Sequence, residues 1–489
     1  MTIGKEHYVD LVDGEFKGTN ATDLTNLFAR LDGSPQKDHL VVHFHGGLVG
    51  RPAAAGKADS LAPMYLKSGA YPLFFYWNSG VLSVLAHNLD EVGKEPVFWR
   101  LVRRLALLLA GKLAEKPGAR GPTIETESIK EVPEDPEGLL EWTRQREPAS
   151  RNDIADLSSS QRNQIENELK ADMDLKAESQ AIAAGMREPE EIERDQAARS
   201  RGSPPVRASR KTLMSPEVLK QIAKDSPEPG TRSVGTLIAL AKYGVEISVA
   251  VINRYRSNRD HGLLPTIAEE VARSLYADSI GSTVWTLMKN DTRDAFGGNP
   301  LVHGGTAFVG EVLKWWKPGR RLTVVGHSTG AIYIGYVLEH LDKDLPLDAR
   351  IDVVFLAPAC TFEFMRERLP IFKRRVAKFR MFALKDELER GYWEVPLLYP
   401  ASLLYMVSGL FEDPTVDMPI LGMQRYFSGA APYDDAGIGE VAKWIAKRSV
   451  WSVADDGLAG LQSGALRHGG FDEDMTTRAS LEHILAKGF

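Results

Sequence analysis

The sequence predicts an α/β protein: a mostly parallel sheet with helices on both faces, interrupted by a long helical insertion. Three observations carry this. Short β-branched or aromatic runs at Leu40 to His45, at residues 71–77 ("YPLFFYW") and at Leu322 to Val325 alternate with helix-compatible segments. Strands with no polar face belong in a sheet buried on both sides. The alternation stops after residue 78 for about 240 residues, far longer than an ordinary connection, and resumes at Leu322.

Taken in order, Tyr8 to Val12 reads as a strand and Thr22 to Leu31 as a helix. The apolar run Leu40 to His45 follows, then an Ala/Leu-rich helix to Lys67 and the strand at 71–77. The core is therefore expected in residues 1–78 and 320–489, and the insertion in 79–319. Val97 to Leu113 has the spacing of an apolar helix carrying Arg100, Arg103 and Arg104. Residues 116–212 are charged and poor in apolar types, which predicts solvated helices with flexible joints such as "RSRGSPPVRAS". Apolar helices return from Leu213 to Trp316. Beyond Leu322 the expected elements are a helix from Ala331 to Leu341 and strands at Ile351 to Leu356 and Lys378 to Leu384. An aromatic-rich interruption at residues 392–411 is followed by a helix at Ile438 to Ala446, a last strand at Ser449 to Val453 and a terminal helix at Thr476 to Lys487.

Composition bounds the function. A formal charge of −6 spread over 489 residues is mild and shows no basic domain, so nucleic acid is not an expected partner. The single cysteine, Cys360, excludes an internal disulfide, and "MTIGKEHYVD" lacks the apolar core of a secretory signal, which together point to a cytoplasmic setting. "FLAPACTF" gives Cys360 no adjacent base, so it reads as an apolar filler. The most membrane-like stretch, Val234 to Ile252, carries Lys242 and Glu246 and reads as a buried or cap helix.

The chemistry centres on "VVGHSTGAIYIGYVL", residues 324–338. A G-x-S-x-G string arises by accident in roughly one chain in four of this composition, so the pentad alone is weak. Its setting between a strand and a helix strengthens it. A serine lifted clear of a strand end needs strained backbone, and the residues two before and two after it crowd together, which suits Gly326 and Gly330.

A serine hydroxyl needs a base, and the base needs a third group to orient it. Three histidines follow Ser328. His340 lies about three turns along the next helix and His483 sits within the terminal helix. His468, in the glycine-flanked "GALRHGGFDED", is the expected base. "FRMFALKDELE" places Asp386 just past a strand as the expected acid, with Glu387 the rival one residue on and Glu389 nearby; the plainer alternative is that these carboxylates cap a helix start. Donors for a developing oxyanion are expected from the loop after the first long strand, at Gly46, Gly47 and Leu48, together with the Thr329 amide. His327 is expected to be structural or a wall of the pocket rather than the base, and Trp77 and Asn78 to line the site.

With "HGGL" after a strand, "GHSTG" between strand and helix, an Asp after a later strand and a His in "RHGGF", the chain resembles the α/β-hydrolase superfamily over residues 38–78 and 320–489. The resemblance implies an eight-stranded, mostly parallel sheet, a Ser328–His468–Asp386 triad, an oxyanion hole from the His45 loop and the Thr329 amide, and no cofactor. Two glycines stand where the HGGG esterases have three, and the spacing from Asp386 to His468 is long, which fits a second insertion around the aromatic stretch.

The expected activity is cleavage of carboxylic esters, of small molecules or lipids, through an acyl-enzyme. Val97 to Leu113 and residues 391–411 are read as a cap over an acyl pocket, and the arginines of the former would allow contact with a membrane surface or a partner protein. Two rival readings stand beside it. One is an inactive member of the fold serving as a binding or scaffold protein. The other is a metal-dependent hydrolase using His43 and His45 of "HFH", for which the chain shows no H-x-D-H cluster.

Overall fold

The computed structural model describes the chain except for residues 1–2, 48, 79, 115–131, 149, 186–211, 226–230, 281, 392, 396–397 and 413–415. Its strands are β1 (Tyr8–Val12), β2 (Glu15–Phe16), β3 (His39–Phe44), β4 (Tyr71–Asn78), β5 (Arg321–His327), β6 (Ile351–Leu356), β7 (Val376–Leu384) and β8 (Ser449–Ser452). They form one eight-stranded sheet in the order β2-β1-β4-β3-β5-β6-β7-β8. Only β1 and β2 pair antiparallel; every other neighbouring pair is parallel.

Period-two alternation decides which core each strand residue joins. On β6, Ile351, Val353 and Phe355 enter one apolar cluster while Val354 and Leu356 enter the other. The smaller cluster is closed by the helices Arg51–Lys67 and Met475–Lys487 through Leu61, Tyr65, Leu481 and Ile484. The larger is closed by the helices Ala21–Gly33, Gly304–Trp315, Gly330–Asp344, Phe362–Arg375 and Ala436–Ile445. Burial on both faces is why the strand sequences are almost unbroken apolar runs.

The small strand β2 was not expected. It is two residues long, joined to β1 by Asp13 and Gly14 with φ of 52° and 80°, the left-handed pair of a tight hairpin. The long excursion between β4 and β5 is helical where it is described, running from Gly80–Gly93 through Pro96–Leu113 to Ser282–Asp294. Its last helix, Gly304–Trp315, instead flanks the sheet, with Phe308 against Phe28 and Phe75. The joint "RSRGSPPVRAS" lies outside the described residues. Arg232–Arg256 is the helix, among the described residues, long and apolar enough to cross a membrane; 56% of its apolar window is buried inside the protein.

A second excursion, between β7 and β8, packs on the first. His261 is sandwiched between two carboxylates, with Nδ1 2.7 Å from Glu269 and Nε2 2.8 Å from Asp417, all three fully buried. Arg254 bonds Glu269 and reaches Glu270 at 3.0 Å, while Tyr433 and Tyr426 bond Asp417. Buried charges persist only when paired and hydrogen-bonded, so this network fastens the two excursions in one arrangement.

Candidate active site

Ser328 leaves β5 with φ 55°, a left-handed conformation costing a non-glycine residue about 1–2 kcal/mol. The turn is sewn to the end of β6: the Ser328 amide donates to the Leu356 carbonyl at 2.8 Å, and the Ser328 carbonyl accepts from the Ala359 amide at 3.0 Å. A Cβ on Gly326 would stand 2.7 Å from the backbone of Gly330, and one on Gly330 would stand 2.3 Å from the Phe44 carbonyl oxygen. Both pentad glycines are thus demanded by close approach.

The loop after β3 lies on this turn. A Cβ on Gly46 would stand 3.2 Å from Ser328 Cβ, and one on Gly47 would stand 2.8 Å from Thr329 Oγ1 and 2.5 Å from Met288 Sδ. His45 shapes the loop from below. Its Nδ1–H donates to the Gly46 carbonyl at 2.7 Å, and its Nε2 accepts the Trp77 amide at 3.2 Å, since that amide can only donate. The Trp77 indole N–H returns a bond to the His45 carbonyl at 3.2 Å, and the two rings stack 5.6 Å apart. Trp77, expected in the site lining, packs on His45 and braces the loop after β3. The amides of Gly47 and Thr329 donate to no loop or turn carbonyl among the described residues. Leu48 lies outside the described residues, as does the side chain of Asn78.

His468 is brought to the same rim. It is buried, its carbonyl accepts from His327 Nε2 at 2.9 Å, and its ring centroid is 5.5 Å from that of His327. Neither of its ring nitrogens has a hydrogen-bond partner among the described residues. Burial, then the charges of His327 and Lys57, hold its pKa well below the ordinary histidine value, so the ring is a free base at neutral pH. His340, by contrast, stacks on Phe296 with centroids 4.9 Å apart.

Asp386 is not hydrogen-bonded to His468. It opens the four-residue helix Asp386–Glu389, its Oδ1 accepts from the Tyr405 hydroxyl at 2.6 Å and its amide donates to Gln424 at 3.0 Å. Glu387 is exposed and turned to solvent. His327, expected as structural or as a pocket wall, is buried with both nitrogens engaged: Nδ1 meets Asp472 at 2.7 Å and Nε2 meets the His468 carbonyl. The rings of His43 and His45 face different partners, His43 meeting Tyr65 at 2.9 Å and Asp472 at 3.5 Å. No group of three or more His, Cys, Asp or Glu residues is arranged to hold a metal among the described residues.

Two acidic residues, Asp472 and Glu394, went unrecognised in the sequence. Asp472 is fully buried beside His327, Lys57 and His43; burial alone would raise its pKa, and these neighbours hold it well below the usual carboxylate range. Glu394 is half-buried near the backbone amides of His468 and Gly469; burial raises its pKa, and these amides and His327 oppose that rise. Glu389 is buried against Ser402, and burial pushes its pKa up to about 8. The one available signal was Asp472 standing four residues after His468, within a run of three acids.

These shifts predict a stability optimum near neutrality. Burial pushes His43 and His45 down to about 4, and His39 to about 3, from an ordinary 6.5. Below 6.5 the unfolded chain takes up these protons and the folded chain does not. Each ring's contribution is full above 6.5 and falls by up to about 1.4 kcal/mol per pH unit below it. Glu389 acts oppositely: it stays protonated when folded, so its contribution is present below the ordinary 4.5 and lost as pH rises toward 8. Chemical denaturation across pH 4.5 to 8 is expected to show stability rising to about 6.5, where the histidines outnumber the opposing acid, then declining gently. A flat profile would contradict the neutral burial of these rings.

Comparison with protein-family models, with curated proteins and with solved structures finds no match to this chain.

Proposed function

We propose that the protein is a serine hydrolase of the α/β-hydrolase type that cleaves carboxylic esters through an acyl-enzyme. The observation that carries the reading is the strained Ser328 at the end of the central strand β5, packed between crossing glycines, with the buried, unpartnered ring of His468 at the same rim. The sheet order and its parallel pairing support the fold assignment. In this reading Ser328 Oγ attacks the ester carbonyl and His468 takes its proton, then returns it to the leaving alcohol. The amides of Gly47 and Thr329 receive the oxyanion, with Gly46 and Leu48 shaping that loop. Water then cleaves the acyl-enzyme by the same path in reverse.

Asp386 is the proposed acid; the Tyr405 hydroxyl donates to its Oδ1, and no bond to Oδ2 is found among the described residues. Glu394 is the second reading, favoured by its place beside the His468 and Gly469 amides. Ser328 is 4% exposed, with Met288 of the helix Ser282–Asp294 against the Gly47 loop, so substrate entry requires that this roof move. A cytoplasmic location and an apolar acyl group belong to the same proposal.

A fluorophosphonate probe and a panel of acyl esters test it. Wild type is expected to label and to hydrolyse esters, with activity persisting well below pH 6.5 because His468 is neutral there. Asp386→Asn is expected to lower kcat by about 10²–10⁴-fold, and Glu394→Gln by much less; the reverse order assigns Glu394. Absence of labelling in folded wild type favours a scaffold, and cleavage of peptides but of no ester rejects the esterase reading.

A further inference from the structure

His327 stands next to the proposed nucleophile, yet both of its nitrogens are committed. Nε2 lies 2.9 Å from the carbonyl oxygen of His468, which can only accept, so Nε2 carries a hydrogen. Nδ1 lies 2.7 Å from Oδ2 of Asp472. That same oxygen takes Lys57 Nζ at 2.9 Å, and Oδ1 faces His43 Nε2 at 3.5 Å, all in an interior where Asp472 is fully buried. A carboxylate so surrounded by donors is ionised and offers no hydrogen, so Nδ1 carries one too.

We propose that His327 is held as an imidazolium by Asp472 and is the positioning residue for His468. It ties the main chain of the base to the strand that carries Ser328, and its fixed charge keeps the neighbouring ring of His468 unprotonated. The ionisable groups facing it are Asp472, Lys57, His43, His468 and Glu394. With Lys57 and His327 both cationic, further protonation of His43 or His468 is opposed by like charge. The loop is held at one more point, where Lys57 Nζ lies 3.5 Å from the Gly469 carbonyl, and its His468 and Gly469 amides face the carboxylate of Glu394. Lys57 therefore joins the helix Arg51–Lys67 to the same clamp. This role in catalysis rests on the serine hydrolase reading; the charge state of His327 does not.

Two measurements separate them. Side-chain ¹⁵N NMR of the full chain labelled at histidine, with His327→Gln and Asp472→Asn spectra for assignment, is expected to show both His327 nitrogens protonated and His468 neutral in the folded protein at neutral pH. A neutral tautomer at His327 in wild type overturns the proposal whatever the activity. Asp472→Asn is expected to return His327 to a neutral ring and to slow fluorophosphonate labelling by roughly 10–100-fold, the usual loss when a supporting residue rather than a reacting one is removed, with KM for an ester little changed and Asp472→Glu recovering part of the rate. Labelling of Asp472→Asn at the wild-type rate overturns the positioning role. Failure of wild type to label at all defeats the reading of Ser328 instead, and the spectrum still decides His327.

Discussion

Ser328→Ala is expected to lower kcat/KM for an acyl ester by about 10⁴–10⁶-fold while leaving the fold intact. The loss is that large because nucleophile and base act as a unit: without the hydroxyl, His468 has nothing to activate, and only the oxyanion donors and substrate binding still work. The fold survives because alanine at φ 55° is strained to about the same degree as serine. Ser328→Gly makes the sharper test. Glycine adopts that φ freely, so this variant is expected to be as inactive as Ser328→Ala and at least as stable as wild type, although the glycine adds about 0.4–1 kcal/mol of unfolded-chain entropy. Thermal melts beside the kinetics check both. Retention of more than a tenth of wild-type activity in either variant would remove Ser328 from the chemistry.

Arg254→Met is expected to cost about 3–5 kcal/mol, the usual penalty for leaving a buried partner charge uncompensated. Arg254 is 4% exposed, and its Nη1 serves both Glu269 and Glu270 while its Nε donates to the Arg259 carbonyl at 3.1 Å. Burial alone would raise the pKa of Glu269; Arg254 first, then His261, bring it down to about 2. Removing the guanidinium leaves an ionised side chain with zero exposure, held only by His261 and Tyr399. Because His261 also meets Asp417, the strain passes to the segment after β7. Denaturant titration is expected to show a lower midpoint in this variant, and a change under about 1 kcal/mol would mean that the network relaxes without cost.

What could be read in advance followed from local rules. The β3, β4, β5 and β6 runs announced a two-sided sheet because their side chains are apolar on alternate and intervening positions alike, and the GHSTG pentad announced its turn because two glycines were spaced to meet. The strand β2 was missed although Asp13-Gly14 is a hairpin dipeptide, since two paired residues leave no periodicity. Asp472 was missed for a different reason. Its partners lie far back in the chain, His327 by 145 residues and Lys57 by 415, with His43 earlier still, and a carboxylate in "FDED" looks like any solvated run until the chain closes around it. Glu394 was hidden in an aromatic stretch that read as cap. His327 illustrates the general difficulty: its neighbours in sequence left a structural residue and a pocket wall both open, and only its neighbours in space showed which partners it holds.

The strand order has a consequence for biosynthesis. β3 is covered on one edge by β4, made soon after it, and on the other by β5, which the ribosome reaches only after the whole helical excursion. At ~5–20 residues per second, the outer edge of "HLVVHF" waits on the order of tens of seconds for its partner. An unpaired apolar edge invites pairing with another nascent chain. Recovery of this protein from cells should therefore depend less on its final stability than on how well that interval is guarded by chaperones.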